Sequence, residues 1–471
     1  MRRRDFVSLG TGMAILGGLG RAEQQIIHQA TGLKVGEVSP DSAIVWTRLT
    51  KEAERRADGI VRRGEPKAFP EGLRVEQLEG SAPGVAGEVR LRYATDKILR
   101  GAVETEWVEV GADSDFAHQF RLGGLSPATR YHYIVETRDG GLHAPLRGTF
   151  RTAPEPEDHA DVTFAIMTCQ KYSQLDHRQG FHIYDSMRRL KPDFYVTAGD
   201  IVYYDSDDPP ATTIDLARYH WQRMYSLPRH RNLLLNVPGY WEKDDHDTLS
   251  DDSWPGREVK EMLPFTWADG LRIFRQQVPM ADKTYRTFRW GRSLQIWLME
   301  GRDFRSPNNM PDSAEKSIWG SEQKKWLQQS MLASDADWKL LINPTPIVGP
   351  DRTTKSDNLA NQAFHYEGDE FRGWVHKHMP ERFFNINGDR HWQYHSVHPE
   401  SKVQEFSAGP ASDSHATGSP GLDERYHRFH RVKGGFLTVK VSRDAGKSTI
   451  RFQHHDVYGK VVYEYSQSLR V

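Results

Sequence analysis

Residues 192–203 read Pro192-Asp193-Phe194-Tyr195-Val196-Thr197-Ala198-Gly199-Asp200-Ile201-Val202-Tyr203. An apolar, β-rich run entered through Pro-Asp and left through Gly-Asp predicts a short strand over 193–198, followed at once by a carboxylate and a phenol. The same texture recurs on both sides. Short apolar runs at 162–167, 233–237, 294–299, 339–342 and 382–387 predict further strands, and helix-like segments at 180–190, 216–225, 321–330 and 370–378 fall between several of them. That alternation predicts βαβ units and an α/β core spanning residues 160–471. Runs at 435–442, 448–455 and 460–466 predict three antiparallel strands that finish a sheet.

Ligands of open α/β sheets bind just beyond the carboxyl ends of the strands. Thr168, Cys169 and Gln170 follow the first predicted strand, and Gly199, Asp200 and Tyr203 the second. Asp244, Asp245, His246 and Asp247 follow the third, and Glu300, Arg302, Asp303 and Arg305 the fourth. Asn343 follows the fifth, and Gly388, Asp389, Arg390 and His391 the sixth. Each group alone has an ordinary structural reading: an inert buried thiol, a Gly-Asp turn, a solvated acidic loop, arginines in ion pairs. Their order along one domain is what points to a metal site. Asp and His on short loops suit Ca²⁺, Mg²⁺ or Mn²⁺. Thiolate, phenolate and imidazole together select a softer, redox-capable ion such as iron. A carboxylate between two such groups can bridge two ions, the arrangement used for in-line displacement at phosphorus.

Composition narrows the alternatives. The chain has 471 residues with 63 basic and 64 acidic side chains, so its charge of −1 offers no electrostatic footprint for nucleic acid or a membrane surface. Apolar content of 37% and mean hydropathy of −0.70 describe a soluble globular chain, which 11% aromatic residues make too apolar for disorder. The single cysteine excludes an intramolecular disulfide and a Cys-cluster zinc site. Of 21 histidines, 11 lie from His365 to His455. Length alone suggests about three domains; texture suggests two.

Residues 1–29 read as a signal peptide and leader: a basic start, a short Gly-rich apolar run, then small residues. Arg3-Arg4-Asp5-Phe6-Val7 is similar to the twin-arginine export signature, which implies the twin-arginine machinery as a partner and a periplasmic or secreted protein. No transmembrane segment is expected in the mature chain. Residues 30–154 alternate in short runs broken by Pro and Gly, and the stretch from Leu125 to Tyr133 resembles the loop and tyrosine-bearing strand of fibronectin type III modules. They predict a fibronectin/Ig-like β-sandwich, interrupted by a polar loop over 51–86.

The ordered motif set resembles the PhoD-type alkaline phosphatases, within the calcineurin-like metallophosphoesterases. Lys34 to Leu49 looks like the opening of that family's N-terminal β-domain. Thr168-Cys169-Gln170 looks like its Ser-Cys-Gln segment, and Gly199-Asp200-Ile201-Val202-Tyr203 like its Gly-Asp-Tyr-Ile-Tyr block. Asp244-Asp245-His246-Asp247 and Gly388-Asp389-Arg390-His391 are similar to its Asp-Asp-His-Glu and Gly-Asp-X-His motifs. The resemblance implies a four-layer αββα sandwich and hydrolysis of phosphoric esters by a metal-bound hydroxide or oxo bridge. It implies iron (Fe³⁺) on Cys169, Asp200, Tyr203 and His391, and one or two divalent ions, most readily Ca²⁺, on Asp200, Asp245 and Asp389, with Asn343 as a further candidate ligand. His246 would stand beside the phosphoryl group as stabiliser or proton donor.

The sequence departs from that family at Asp247, which replaces Glu, and at Glu242-Lys243, where an apolar approach is expected. Lys243 is expected to tune substrate charge or to face solvent, and Arg390 is a candidate phosphate contact. The segments 349–367 and 409–430 read as long polar rim loops, and no C-terminal helix is expected after the last strand to cover the site. Two alternatives to the phosphatase reading are a phosphodiesterase or phospholipase D-like enzyme acting on lipid or wall polymer, and a noncatalytic envelope-binding protein.

Overall fold

A computed structural model describes residues 26–62 and 69–471; of the expected signal and leader segment over 1–29, residues 1–25 lie outside them. The strand Phe194–Ala198 sits inside a nine-stranded sheet, between Val162–Met167 and Gly239–Glu242, and all three run parallel. The C-terminal strands Phe436–Asp444, Lys447–His455 and Val461–Arg470 extend this sheet antiparallel on one side. On the other side it continues into the N-terminal strands Leu33–Gly36, Ala43–Arg48 and Ala117–Leu122, joined where Gly36 pairs with Gly239. A second, seven-stranded sheet contains the parallel strands Leu294–Leu298, Trp338–Asn343 and Phe383–Asn387.

Strand alternation sets the layers, because successive side chains point to opposite faces. Phe164, Ile166, Phe194, Val196 and Ala198 meet Leu294, Ile296, Leu340, Ile342, Phe384 and Ile386 between the two sheets. Their neighbours Ala165, Met167 and Tyr195 face outward, under the helices His182–Leu190, Ile214–Tyr225, Pro228–Asn236 and Trp267–Gln277. Trp297, Leu341 and Phe383 do the same on the other sheet, under Gly320–Ala333 and His365–His378. Strands buried on both faces read as continuous apolar runs for this reason. The result is the expected αββα sandwich.

The N-terminal β-sandwich is present as well. Strands Gly87–Ala94, Arg130–Arg138 and Leu146–Arg151 belong to a five-stranded sheet. Val89, Leu91, Tyr133 and Phe150 from this sheet pack with Val35, Val45 and Phe120 from the facing strands. Of the strands the sequence predicts, 233–237 is wrong. Residues Leu233 to Asn236 end the helix Pro228–Asn236, which begins with proline at its first turn, and the strand lies just beyond as Gly239–Glu242. A run of four or five apolar residues has no periodicity that separates helix from strand.

Candidate metal centre

Four strands end in a ligand-type residue two positions later: Cys169 after Met167, Asp200 after Ala198, Asp244 after Glu242 and Asp389 after Asn387. Three of the strands belong to the first sheet and one to the second, so the site straddles the two sheets at their carboxyl ends. Cys169, Asp200 and Asp389 have φ of 52°, 55° and 58°. Non-glycine residues seldom adopt this left-handed region, and such strain persists where the surroundings over-determine it. The surroundings are visible here. A Cβ on Gly388 would lie 2.0 Å from the Ala198 carbonyl oxygen, so the Gly-Asp turn of one sheet closes directly onto the strand of the other. Thr168 Oγ1 donates to the Ala198 and Gly199 carbonyls (3.0 and 3.2 Å), and Gln170 N–H donates to the Asp200 carbonyl (2.7 Å).

Ligating atoms of Cys169, Asp200 and His391 converge within 4.8 Å of one another, as do those of Asp200, Asp245 and His246, and of Asp200, Asp244 and Asp389. Asp200 belongs to all three; a fourth such group, Asp245, Asp251 and Asp252, does not include it. Asp200 Oδ2 accepts from the Tyr203 hydroxyl at 3.1 Å and from the Cys169 thiol at 3.5 Å, while its buried Oδ1 has no hydrogen-bond partner. Asp244 Oδ2 is likewise buried and unsatisfied. Burial, reinforced by Asp245 and Asp244, drives the Asp200 carboxyl well above the usual carboxylate range; burial and the Asp200 charge push the Cys169 thiol and Tyr203 phenol up as well. A cation among these groups would reverse all three shifts at once. Burial, with His415 and Arg390 nearby, pushes His391 well down, leaving the neutral imidazole a metal ligand requires. The donor set fits a metal centre.

The structure thus brings together every predicted site residue: Cys169, Asp200, Tyr203, Asp245, His246, Asp389 and His391. Asn343 is committed elsewhere, with its amide oxygen on Trp319 Nε1 at 3.3 Å and its Nδ2 on the Thr345 carbonyl. Lys243 neither faces solvent nor reaches the opening: it is 2% exposed and paired with Glu300 at 2.9 Å and Asp303 at 2.7 Å. Arg302 and Arg390 are fully buried beneath the cluster. Arg302 pairs with Asp244, with Asp245 at 3.5 Å and with Asp357 at 3.5 Å; Arg390 pairs with Asp389, with Asp351 at 2.8 Å and with Asp357 at 3.6 Å. Arg390 is therefore a brace for acidic groups and not a phosphate contact. Asp247 has a role its shorter side chain still fills: its carboxylate accepts from the Ile201, Val202 and Asp244 N–H groups (2.7, 2.9 and 3.0 Å), tying two ligand loops together.

Two further residues enter from loops. Asp205 Oδ1 accepts from His246 Nδ1 at 2.7 Å, leaving Nε2 toward the opening. Burial disfavours charge on His246, but Asp205, Asp245 and Asp200 hold its pKa well above the ordinary value. His415 lies over the rings of His391 (4.0 Å) and Tyr203 (5.4 Å), with Nδ1 3.1 Å from the Cys169 carbonyl oxygen. Asp205 follows Tyr203 by two residues, a spacing the sequence displays. His415 sits inside the 409–430 loop with no local signal.

Four layers with a carboxylate-rich centre at the strand ends define a metallophosphatase-like α/β protein. The fold matches the solved structure titled "Structure of PhoD" with a TM-score of 0.71 at 17% identity, covering 95% of this chain and 91% of that one. It also matches purple acid phosphatase PPD1 from yellow lupin (Lupinus luteus) seeds, with a TM-score of 0.61 at 12% identity over 92% of this chain and 73% of the other. The sequence pattern of the PhoD-like phosphatase family matches residues 164–457, and that of the family's N-terminal domain matches residues 20–154. The chain belongs to the PhoD-like phosphatase family. Alkaline phosphatase D of Bacillus subtilis (strain 168) is 24% identical over 351 residues, a match spanning 66% of this chain and 54% of that protein.

Proposed function

We propose that the protein is an exported, metal-dependent phosphoric ester hydrolase. The observation that carries this reading is Asp200, buried, half-unsatisfied and common to a Cys169–His391 set with Tyr203 alongside, to a set with Asp245 and His246, and to a set with Asp244 and Asp389. Cys169, Asp200, Tyr203 and His391 would hold iron, and Asp200, Asp245 and Asp389 one or two divalent ions, with calcium the expected choice. When bound, these ions supply electrophilic polarisation of the phosphoryl group and activation of water for in-line attack. The chain's own residues do the rest. Asp205 fixes the His246 ring so that Nε2 can donate a hydrogen bond or a proton to a phosphoryl or leaving-group oxygen. Arg302 and Arg390 hold the acidic ligands in place from below. Export by the twin-arginine route rests on Arg3 and Arg4. No helix among the described residues is long and apolar enough to cross a membrane.

The deciding experiment is metal analysis of the natively purified protein together with hydrolysis of chromogenic phosphate mono- and diesters. Bound iron and turnover of the monoester are expected. Protein with neither metal nor turnover would refute the reading in favour of a binding protein, and turnover of the diester alone would shift the substrate class.

A further inference from the structure

Lys355, on the 349–367 loop, presents a 13% exposed side chain at the opening of the site. Its Nζ stands 2.5 Å from Asp252 Oδ1 and 3.2 Å from Asp251 Oδ1. The same Asp251 oxygen lies 3.9 Å from His246 Nε2, the ring nitrogen that Asp205 leaves free. Asp251 differs from the acids beneath it: its side chain is 65% exposed, whereas that of Asp245 is 1% exposed. Its backbone is anchored, with N–H donating to Asp205 Oδ2 at 3.0 Å, so the carboxylate can leave by side-chain rotation alone. One anionic oxygen thus hangs between an imidazole nitrogen and an ammonium, on the solvent side of the cluster. A phosphoryl oxygen would find the same two partners there.

We infer that the Asp251 carboxylate stands in for an anionic oxygen of the substrate, and that a phosphate group binds by displacing it from His246 Nε2 and Lys355 Nζ. This rests on the phosphoric ester reading above and narrows it. Lys355 remains placed by Asp252, whose N–H donates to Asp245 Oδ2 at 2.6 Å. A fixed ammonium at this position favours a dianionic monoester over a monoanionic diester, because charge-assisted hydrogen bonds strengthen with the acceptor's charge.

The test is direct calorimetric binding of inorganic phosphate to the metal-loaded protein, with metal content and KM for mono- and diester measured alongside. Lys355→Met is expected to weaken phosphate binding about tenfold and to raise KM for the monoester more than for the diester; Lys355→Arg recovers most of the binding. Asp251→Asn removes the competing charge and is expected to tighten phosphate binding about threefold. Unchanged or weaker binding in Asp251→Asn, or loss of a metal ion from it, overturns the inference, because the carboxylate is then a scaffold or a ligand. If the wild type binds phosphate and turns over ester while Lys355→Met behaves identically, only this inference falls. If the wild type does neither, the functional reading falls with it.

Discussion

Two acidic regions meet at the strand ends, and they differ in their counter-charge. Beneath the site, Asp351 and Asp357 are matched by buried Arg302 and Arg390, with Lys355 at the rim. Asp357 accordingly sits well below the ordinary carboxylate range: burial opposes its charge, but Arg390, Lys355 and Arg302 prevail. Above them, Asp200 has a thiol, a phenol and an unsatisfied oxygen, and its pKa is driven up. The protein neutralises one region with its own side chains and leaves the other short of positive charge. A shortage of this kind marks where an external cation belongs more sharply than a count of acidic residues does.

The largest effect expected from breaking this contrast is at Asp200. Asp200→Asn should cut turnover by about 1,000-fold or more and release metal, as measured by metal analysis and steady-state kinetics; retained metal would remove Asp200 from its central place. His246→Ala should lower turnover by about 100- to 10,000-fold while metal content stays near normal, and loss of metal instead would make His246 a ligand. Arg302→Met tests the balanced region. It leaves Asp244 and Asp357 buried beside one fewer cation, so unfolding by denaturant should show a loss of about 3–5 kcal/mol.

The smallest effect concerns buried groups that avoid charge altogether. His230 and His454 are pushed down to about 3, and His395 to about 4, by burial. Their contribution to stability is complete above the unfolded value of about 6.5 and is lost as pH falls toward 3–4, because the unfolded chain binds protons the native state refuses. Between pH 6.5 and 4 the wild type should therefore lose a few degrees more in Tm than His454→Gln. Equal losses would show that His454 already takes up a proton in the native state.

The strands that carry the site were legible in the sequence because burial on both faces writes itself as an apolar run, and the turn chemistry after each run names the ligands. Cys169, Asp200 and Asp389 sit within three residues of such a run, whereas Asp245 follows a strand, Gly239–Glu242, that the sequence reading placed at 233–237. The error at 233–237 arose in the same code, where Leu233, Leu234 and Leu235 suit a helix as well as a strand. Lys355, Asp357 and His415 were not legible as site residues, although the loops that carry them were. Their roles depend on chain segments far away in sequence: His415 meets the Cys169 carbonyl, 246 residues distant, and Lys355 meets Asp252, 103 residues distant. The histidine excess has a structural side too, since His395, His454 and His455 are buried and hydrogen-bonded to neighbouring strands and turns.

The join between Gly36 and Gly239 has a consequence for handling the protein. Removing the N-terminal β region would strip Gly239 of its partner Gly36 and uncover the sheet edge at the start of the strand Gly239–Glu242, which leads to Asp244. Exposed edges template pairing with other chains. A trimmed catalytic fragment is therefore expected to self-associate through the very strand that delivers Asp244, Asp245 and His246, so that oligomers and an inactive site would appear together.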